Sequence, residues 1–323
     1  MRLPKLGLTA RLRAAGHRLG LRRGAVVLMY HRVAAPGSDP WDLCVSPTHF
    51  QDHLGALRDW GATILPLAEL VAAAEQQRLP KRALAITFDD GYADNYHAAF
   101  PLLERSDAPA TIFVATGPIL ASREFWWDAL ERLLLGGALP ARLQAAVGGQ
   151  ARVWMTADPP ALYRQVWAAL SDLPPNAQQA ALGSFAMELG RAVGRPRETH
   201  RPLTPAELGE FAGRSRGLIE FGGHTADHPR LPTLPPAGQR DQIQRGKDEL
   251  EAMIGMRVHS FSYPFGAHDG HGVAAVRDAG FLRACTTSGG GVGHRPDHFR
   301  LARLPVPDMP GDALVRQVSA ICA

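Results

Sequence analysis

Short apolar runs that alternate with helix-forming stretches over most of the 323 residues restrict this chain to an α/β architecture. Residues 25–30 (Ala-Val-Val-Leu-Met-Tyr) end at His31 and a loop rich in Pro, Gly and Asp, the pattern of a buried strand followed by turn chemistry. Ser46-Pro47 then opens a helix, with Ser as N-cap and Pro at its first position; it carries Phe50, Leu54 and Leu57 on one face and stops at Gly61. A strand near 63–65, a helix over 67–75, a strand over 84–88, a helix over 94–106 and a strand over 110–115 continue the rhythm. It resumes with a capping box at Thr204-Pro205-Ala206-Glu207, a strand over 218–221 and an amphipathic helix over 241–254. A strand over 258–263, a helix over 272–279 and strands over 281–285 and 301–306 follow. This repetition predicts parallel strands with helices outside them, as a barrel or a doubly wound sheet. Residues from about 120 to 200 break the pattern: rich in Ala, Leu and Gln and punctuated by Pro140, Pro159-Pro160 and Pro174-Pro175, they predict an inserted helical subdomain. No internal repeat of fixed period is present.

The composition suits a folded protein, since 46% hydrophobic and 20% charged residues lie far from the range of disordered chains. The net charge is only +4, and much of the basic excess sits in Arg2, Lys5, Arg11, Arg13, Arg18, Arg22 and Arg23, with no acid among the first 23 residues. Leu8, Leu12, Ala15 and Leu19 recur there at helical spacing. Residues 1–24 therefore read as a basic leader of amphipathic character, suited to an anionic membrane surface, although Gly7, Gly16 and Gly20 weaken a helix. Residues 25–323 are near neutral and carry no Arg/Lys-rich recognition helix or nucleic-acid motif, so nucleic acid is not an expected partner. Cys44, Cys285 and Cys322 are odd in number and lack CxxC spacing, which fits neither a disulfide framework nor a thiolate metal site. The N-terminus shows no apolar run of about 7–15 residues, as a secretory signal would, and no stretch approaches the roughly 18 apolar residues of a membrane span. A cytoplasmic location is expected, with peripheral membrane contact through the leader.

Two adjacent carboxylates, Asp89 and Asp90, follow the strand over 84–88 directly and precede Gly91. Asp-Asp-Gly is also ordinary turn chemistry. The ends of strands are where active sites of α/β folds sit, however, and two carboxylates this close raise each other's pKa unless a cation intervenes. His224 and His228 form an HxxxH pair after the strand over 218–221 and Gly222-Gly223. On a helical turn that spacing places both imidazoles on one face, suited to a single metal ion. The same spacing occurs at His49/His53, inside the helix after Ser46, and at His294/His298, in a loop with Pro296; position at a strand end singles out the first pair. One carboxylate and two imidazoles leave a position open to water, the arrangement of a catalytic metal, and zinc suits such donors. The other aspartate is then free to take a proton from the attacking water, which is chemistry that hydrolyses an amide or an ester.

Together, TFDDGY (Thr87 to Tyr92), HTADH (His224 to His228) and YPFG (Tyr263 to Gly266) resemble, in order and separation, successive motifs of the polysaccharide deacetylase family, the NodB-homology or carbohydrate esterase family 4 group. The resemblance covers residues from about 25 to 306. It implies an α/β fold, a distorted (β/α)7 barrel, here with the helical insertion at about 120–200. It also implies Asp89 as catalytic base and Asp90, His224 and His228 as metal ligands. The backbone N–H of Tyr92 becomes a donor to the tetrahedral oxyanion, and Tyr263, Pro264 and Phe265 line the groove for the acetylated sugar. The implied cofactor is a divalent metal, Zn2+ before others. The implied function is hydrolytic removal of N-acetyl groups from an amino sugar in a glycan or glycan precursor, with that acetylated amino sugar as partner.

Two positions depart from the family pattern. Many members carry an Arg two residues before the proline of the third motif, where it orients the base; that position here is Ser262. Many also supply a general-acid His from a late leucine-flanked motif, whereas Leu301-Ala302-Arg303-Leu304-Pro305-Val306 has none. His31, His268, His294 and His298 are left as candidate proton donors. Trp126-Trp127-Asp128 opens the insertion, and its rings suit the apolar face of a sugar as well as packing of the insertion onto the barrel. Two other readings stay open: an amidohydrolase acting on a cyclic or nonsugar amide, and a catalytically silent carbohydrate-binding relative. Retention of Asp89, Asp90, His224 and His228 weighs against the second.

Overall fold

The structure, a computed structural model, describes residues 24–215 and 217–322, so the basic leader lies outside it except for Gly24. In chain order the strands are β1 (Val26–Tyr30), β2 (Arg32–Val33), β3 (Cys44–Val45), β4 (Thr63–Ile64), β5 (Ala83–Phe88), β6 (Ala110–Val114), β7 (Arg142–Val147), β8 (Gln150–Met155), β9 (Ile219–Gly223), β10 (Ser260–Ser262), β11 (Arg283–Cys285) and β12 (Leu304–Pro305). The main sheet runs β11-β10-β9-β6-β5-β1-β12, with β4 beside the start of β5, and its strand pairs are parallel. Strands β1, β5 and β6 are buried along their whole length, which explains why they read as unbroken apolar runs rather than as alternating ones. Each buried Val, Leu, Ile or Phe contributes about 1.5–3 kcal/mol.

The sheet curls and closes through its last segment. Cys285 at the end of β11 bridges Leu301, and three residues later Leu304 of β12 pairs with Leu28 of β1. Thr286 N–H donates to the Leu301 carbonyl at 2.8 Å and Val306 N–H to the Met29 carbonyl at 3.1 Å, so one short stretch of chain joins both edges. The result is the distorted (β/α)7 barrel expected from the sequence.

Helix ends follow the local chemistry. The helix Pro47–Trp60 is capped by Ser46, whose side chain accepts from His49 N–H, and ends at Gly61 with φ 76°, a value that suits glycine. Pro205–Arg214 carries the predicted Thr204/Glu207 capping box. The helix predicted over 94–106 opens instead with a wide π turn, Asn95–Ala99, before the α segment Phe100–Arg105. Pro101 has no N–H for a regular ladder there, and a wider turn accommodates that loss.

The insertion corrects the sequence reading in one respect. It contains the helices Trp126–Leu135, Pro159–Ser171 and Pro175–Glu188, but residues between the first two form an antiparallel hairpin, β7 with β8. Strand β7 alternates exposed and buried positions, and Gly148-Gly149 turns the chain with φ 61° and 78°. That is the turn two-residue hairpins favour, and a Gly-Gly pair between alternating runs was the readable signal that an Ala- and Leu-rich composition obscured. The insertion buries its own core, including Leu130, Leu143, Val166, Leu170 and Phe185, and this core is continuous with Tyr92 beside the carboxylate pair. No helix among the described residues is long and apolar enough to cross a membrane.

Candidate active site

Strand register places the chemistry. Tyr30 of β1 pairs with Phe88 of β5, so His31 and Asp89 emerge next to each other at the C-terminal edge of the sheet; Asp89 N–H donates to the Tyr30 carbonyl at 3.0 Å. Val114 of β6 pairs with Gly223 of β9, and His224 N–H donates to the Val114 carbonyl at 3.0 Å. Phe261 of β10 pairs with Gly223, which brings Ser262 beside His224. Three strands far apart in sequence thereby deliver Asp89-Asp90, His224 and Ser262 to one spot.

Asp90, His224 and His228 each offer one ligand atom, and these atoms lie within 4.8 Å of one another, the one such group among the described residues. Asp90 Oδ1 is 3.5 Å from His224 Nε2 and 3.3 Å from His228 Nε2, and the two Nε2 atoms are 3.1 Å apart. All three side chains are buried, and Asp90 Oδ1 has close neighbours but no well-formed hydrogen bond. His224 Nδ1 sits 2.7 Å from the Ser262 carbonyl, which can only accept; Nδ1 therefore carries a proton and Nε2 is the atom turned toward the group, and although burial opposes it, Asp89 and Asp90 raise the pKa of this ring. Burial pushes His228 down to about 3, so this ring is neutral at pH 7, the form that binds metal. An anionic oxygen and two imidazole nitrogens converging at this range fit one divalent ion, which would take the place of any proton they share.

The histidine pair is not helical. Residues after β9 form a tight loop in which Thr225 and His228 adopt φ of 65° and 55°, and Asp90 across from it has φ 76°. Non-glycine residues in the left-handed region carry strain that the surroundings must hold. The loop is held at every step: Ala226 N–H donates to the Gln242 carbonyl at 3.0 Å, Asp227 N–H to Gln242 Oε1 at 2.8 Å, and Gly117 N–H to the Ala226 carbonyl at 2.8 Å. Asp227 is further paired with Arg245 and Arg123. The HxxxH spacing therefore works here through a pinned turn, and a helical explanation of it is corrected.

Gly246, on the helix Pro236–Ile254, lets that helix reach the loop: a Cβ there would sit 2.4 Å from the Thr225 carbonyl carbon and 2.7 Å from Ala226 N. Gly246→Ala is expected to cost about 1–3 kcal/mol through overpacking, despite the better helix propensity of Ala, and to weaken metal affinity. Thermal melts with and without zinc test this; unchanged melting and unchanged affinity would show that the loop has slack.

Asp89 has a different partner. Arg303 Nη1 donates to Oδ1 and Nη2 to Oδ2, both at 2.7 Å, in a bidentate pair. Nη2 also reaches Ser262 Oγ at 2.8 Å, Nε reaches the Thr286 carbonyl at 2.9 Å, and Nη1 the Thr87 hydroxyl at 3.2 Å. Arg303 is 0% exposed. Burial disfavours the charged form of Asp89, but the Arg303 guanidinium and then His224 outweigh it and hold the carboxyl well below its usual range. The small Ser262 leaves the room that Arg303 fills. Arg303 lies in the leucine-flanked stretch 301–306, and its role is not legible in the sequence because nothing local to that stretch points to Asp89.

A cavity of about 460 Å³ opens onto this group, lined by His31, Trp41, Asp89, Asp90, Trp127, Trp167, His224, His228, Phe265 and others. Among the three predicted substrate contacts, Phe265 lines it, with φ 57° and its ring 4.7 Å from that of His228. Tyr263 does not: it is fully buried in the layer between the sheet and its helices, against Phe261 and His268, and Pro264 is buried beside it. Period-two alternation explains the correction, because Tyr263 shares with Phe261 the helix-facing side of the strand, opposite to Ser262, whose hydroxyl points to Asp89 and Arg303. Tyr92 is buried as well; its hydroxyl donates to Asp128 at 2.7 Å and accepts from Trp127 Nε1 at 3.0 Å. Burial pushes Asp128 up to about 8, so it sits in the insertion core largely uncharged at neutral pH. The Tyr92 backbone N–H makes no hydrogen bond among the described residues.

The candidate proton donors separate by place. His31 lines the cavity together with Asp89 and Asp90. His298 pairs with Glu75 at 2.7 Å, His268 stacks on Tyr263 with Nδ1 against the Gly266 carbonyl, and neither they nor His294 line the cavity. The His49/His53 pair is structural: His53 bonds Tyr30 and the Met309 carbonyl, and His49 pairs with Asp308.

Known proteins resemble the chain in both sequence and fold. The family model described as polysaccharide deacetylase matches residues 76–138 and 187–284, and the interval between them holds most of the insertion. YxkH of Bacillus subtilis, provisionally named a polysaccharide deacetylase, is 22% identical over 289 residues, spanning 89% of this chain and 73% of that protein. The poly-beta-1,6-N-acetyl-D-glucosamine N-deacetylase of Staphylococcus aureus is 29% identical over 107 residues, which cover 29% of this chain and 37% of that protein's length. In fold, the chain is similar to the Streptococcus pyogenes deacetylase PplD, solved in complex with acetate, with a TM-score of 0.60 at 19% identity over 92% of this chain and 99% of that one. Motifs, barrel and family match converge, and the chain belongs to the polysaccharide deacetylase family of hydrolases.

Proposed function

We propose that this protein is a metal-dependent N-deacetylase that releases acetate from an acetamido sugar. The observation that carries this reading is the buried Asp90, His224 and His228 group set beside Asp89 at the end of a cavity. Asp90 with the Nε2 atoms of His224 and His228 would hold the ion, and their donor set suits Zn2+. When bound, a divalent ion there acts as a Lewis acid on the acetyl carbonyl and makes the attacking water more acidic.

The chain's own residues do the rest. A carboxylate has about four lone-pair positions; Arg303 takes one on each oxygen and Ser262 approaches Oδ2 at 3.3 Å, which leaves Oδ1 an acceptor for a water proton. Asp89 is thus a fixed, ionised base. Water oxygen adds to the amide carbon, and one of its protons passes to Asp89. The Tyr92 N–H, with no partner of its own among the described residues, donates to the oxygen that gains charge. His31 gives a proton to the departing nitrogen as the C–N bond breaks, so that acetate and a free amine are the products. The complete set of ligands, base and paired Arg303 weighs against a silent carbohydrate-binding protein.

Purified protein is expected to bind one zinc per chain, by metal analysis, and to release amine from acetylated amino sugars. His224→Ala and His228→Ala should abolish both, whereas His49→Ala should change neither. Full metal content in His228→Ala would sink the site. For the proton donor, His31→Gln is expected to lower kcat by about 10²–10⁴ with zinc retained. A kcat within about threefold of the wild type would exclude His31.

A further inference from the structure

The insertion does more than decorate the barrel, because it touches the active-site rim on several sides. Trp41, in the loop between β2 and β3, donates its Nε1–H to the Tyr163 hydroxyl at 3.0 Å, and its ring lies 4.4 Å from that of Trp167. Tyr163 and Trp167 both belong to the insertion helix Pro159–Ser171. Trp167 also meets Phe265, from the loop after β10, at 6.0 Å. Past His228, the Arg230 guanidinium lies 4.8 Å from the centre of the Phe265 ring and pairs with Asp172, the residue that ends the same insertion helix. Trp127, at the start of the insertion, faces His228 at 4.9 Å. One helix therefore contacts loops following β2, β9 and β10, and its rings join Trp41 to Phe265 in an unbroken aromatic wall.

A wall of this kind turns an open groove into a pocket. Its volume of about 460 Å³ is that of a small-molecule site, which ordinarily spans about 300–1,000 Å³. The rings present apolar faces suited to the C–H face of a pyranose, and the polar groups cluster at the inner end with Asp89, Asp90, His224 and His228. A polymer bound through an internal residue needs an exit on both sides of the sugar being held, and a side closed by the Trp41–Trp167–Phe265 contacts would offer none. Trp41, Tyr163, Trp167 and Asp172 also fall outside the segments that match the family model.

We propose that the insertion makes the site single-ended, so that it binds one acetamido-sugar unit at a chain end or in a short oligosaccharide and excludes internal residues of long polymers. This rests on the reading of the cavity as the acetamido-sugar site. The test is a binding series on the full-length, zinc-loaded Asp89→Asn protein, titrated by tryptophan fluorescence with N-acetylglucosamine oligomers of one to six units. The expected result is a Kd that levels off by two units and stays within about threefold thereafter. Trp167→Ala, which removes the link between Trp41 and Phe265, should weaken binding of one and two units about tenfold and restore a dependence on length. A Kd that tightens tenfold or more from two units to six, or no binding of any member at millimolar concentration, overturns the proposal. Amine release by the wild type is scored separately with product mapping by mass spectrometry. Acetate lost from internal units of the hexamer also overturns the proposal, while leaving the deacetylase reading intact. A levelled Kd with no amine released from any oligomer does the reverse: it upholds the single-ended pocket and sinks the deacetylase reading.

Discussion

Replacing Asp89 by Asn is expected to lower kcat on an acetylated amino sugar by about 10²–10⁴ while leaving zinc bound. The carboxamide is nearly isosteric and keeps an oxygen to accept from Arg303, but it cannot take a proton from water. Asp90→Asn should act differently, because the anionic ligand of the metal group is lost with it and zinc content should fall with activity. The two variants separate base from ligand although the residues are neighbours in the chain. Because Asp89→Asn also removes the counter-charge of a buried guanidinium, kcat must be normalised to folded, zinc-bound protein. Zinc lost in Asp89→Asn and kept in Asp90→Asn would mean that the two roles are reversed.

Arg303→Met is expected to have an effect of comparable size through two routes. Removing one partner of a buried ion pair leaves the other charge uncompensated, at a cost of about 3–5 kcal/mol, and Asp89 and Arg303 are both almost wholly buried. Thermal and urea unfolding measure that part. The base also loses the bidentate clamp that fixes both of its oxygens, so kcat should fall even in the folded fraction. Arg303→Lys should recover only part of either loss, since an ammonium cannot reproduce the fork. Restoring a guanidinium from β10, with Ser262→Arg in the Arg303→Met background, should recover activity in part, because Ser262 Oγ already lies 3.3 Å from Asp89 Oδ2. Arg303→Met with wild-type stability and kcat would show that the pair matters to neither.

What could be read from the chain alone was whatever depends on neighbours in sequence. Strands β1, β5 and β6 declared themselves as buried apolar runs, the helices after Ser46 and Thr204 by their caps, and Asp89-Asp90 and His224 by following strands directly. The motif resemblance then supplied the barrel and the ligand set, and the described geometry brings Asp90, His224 and His228 within reach of one ion. Even so, the local reason offered for the histidine spacing was mistaken, since a strained loop braced by Gln242 and Arg245 does what a helical turn was expected to do.

Tertiary structure alone decided the partner of the base, the direction of Tyr263 and the shape of the cavity. Arg303 lies 214 positions from Asp89 and 41 from Ser262, and only closure of the barrel between β11 and β1 brings it under the carboxylate. In its own sequence neighbourhood it is one Arg just before a short strand, with no periodicity or turn signal attached. The same holds for Trp41 and Trp167, whose rings meet across a rim built from a barrel loop and an insertion helix. Apolar period and capping are set by residues a few positions apart, so sequence carries them. A buried charge pair or a shared wall depends on which distant segments the closed sheet makes adjacent, and that is a property of the packed chain.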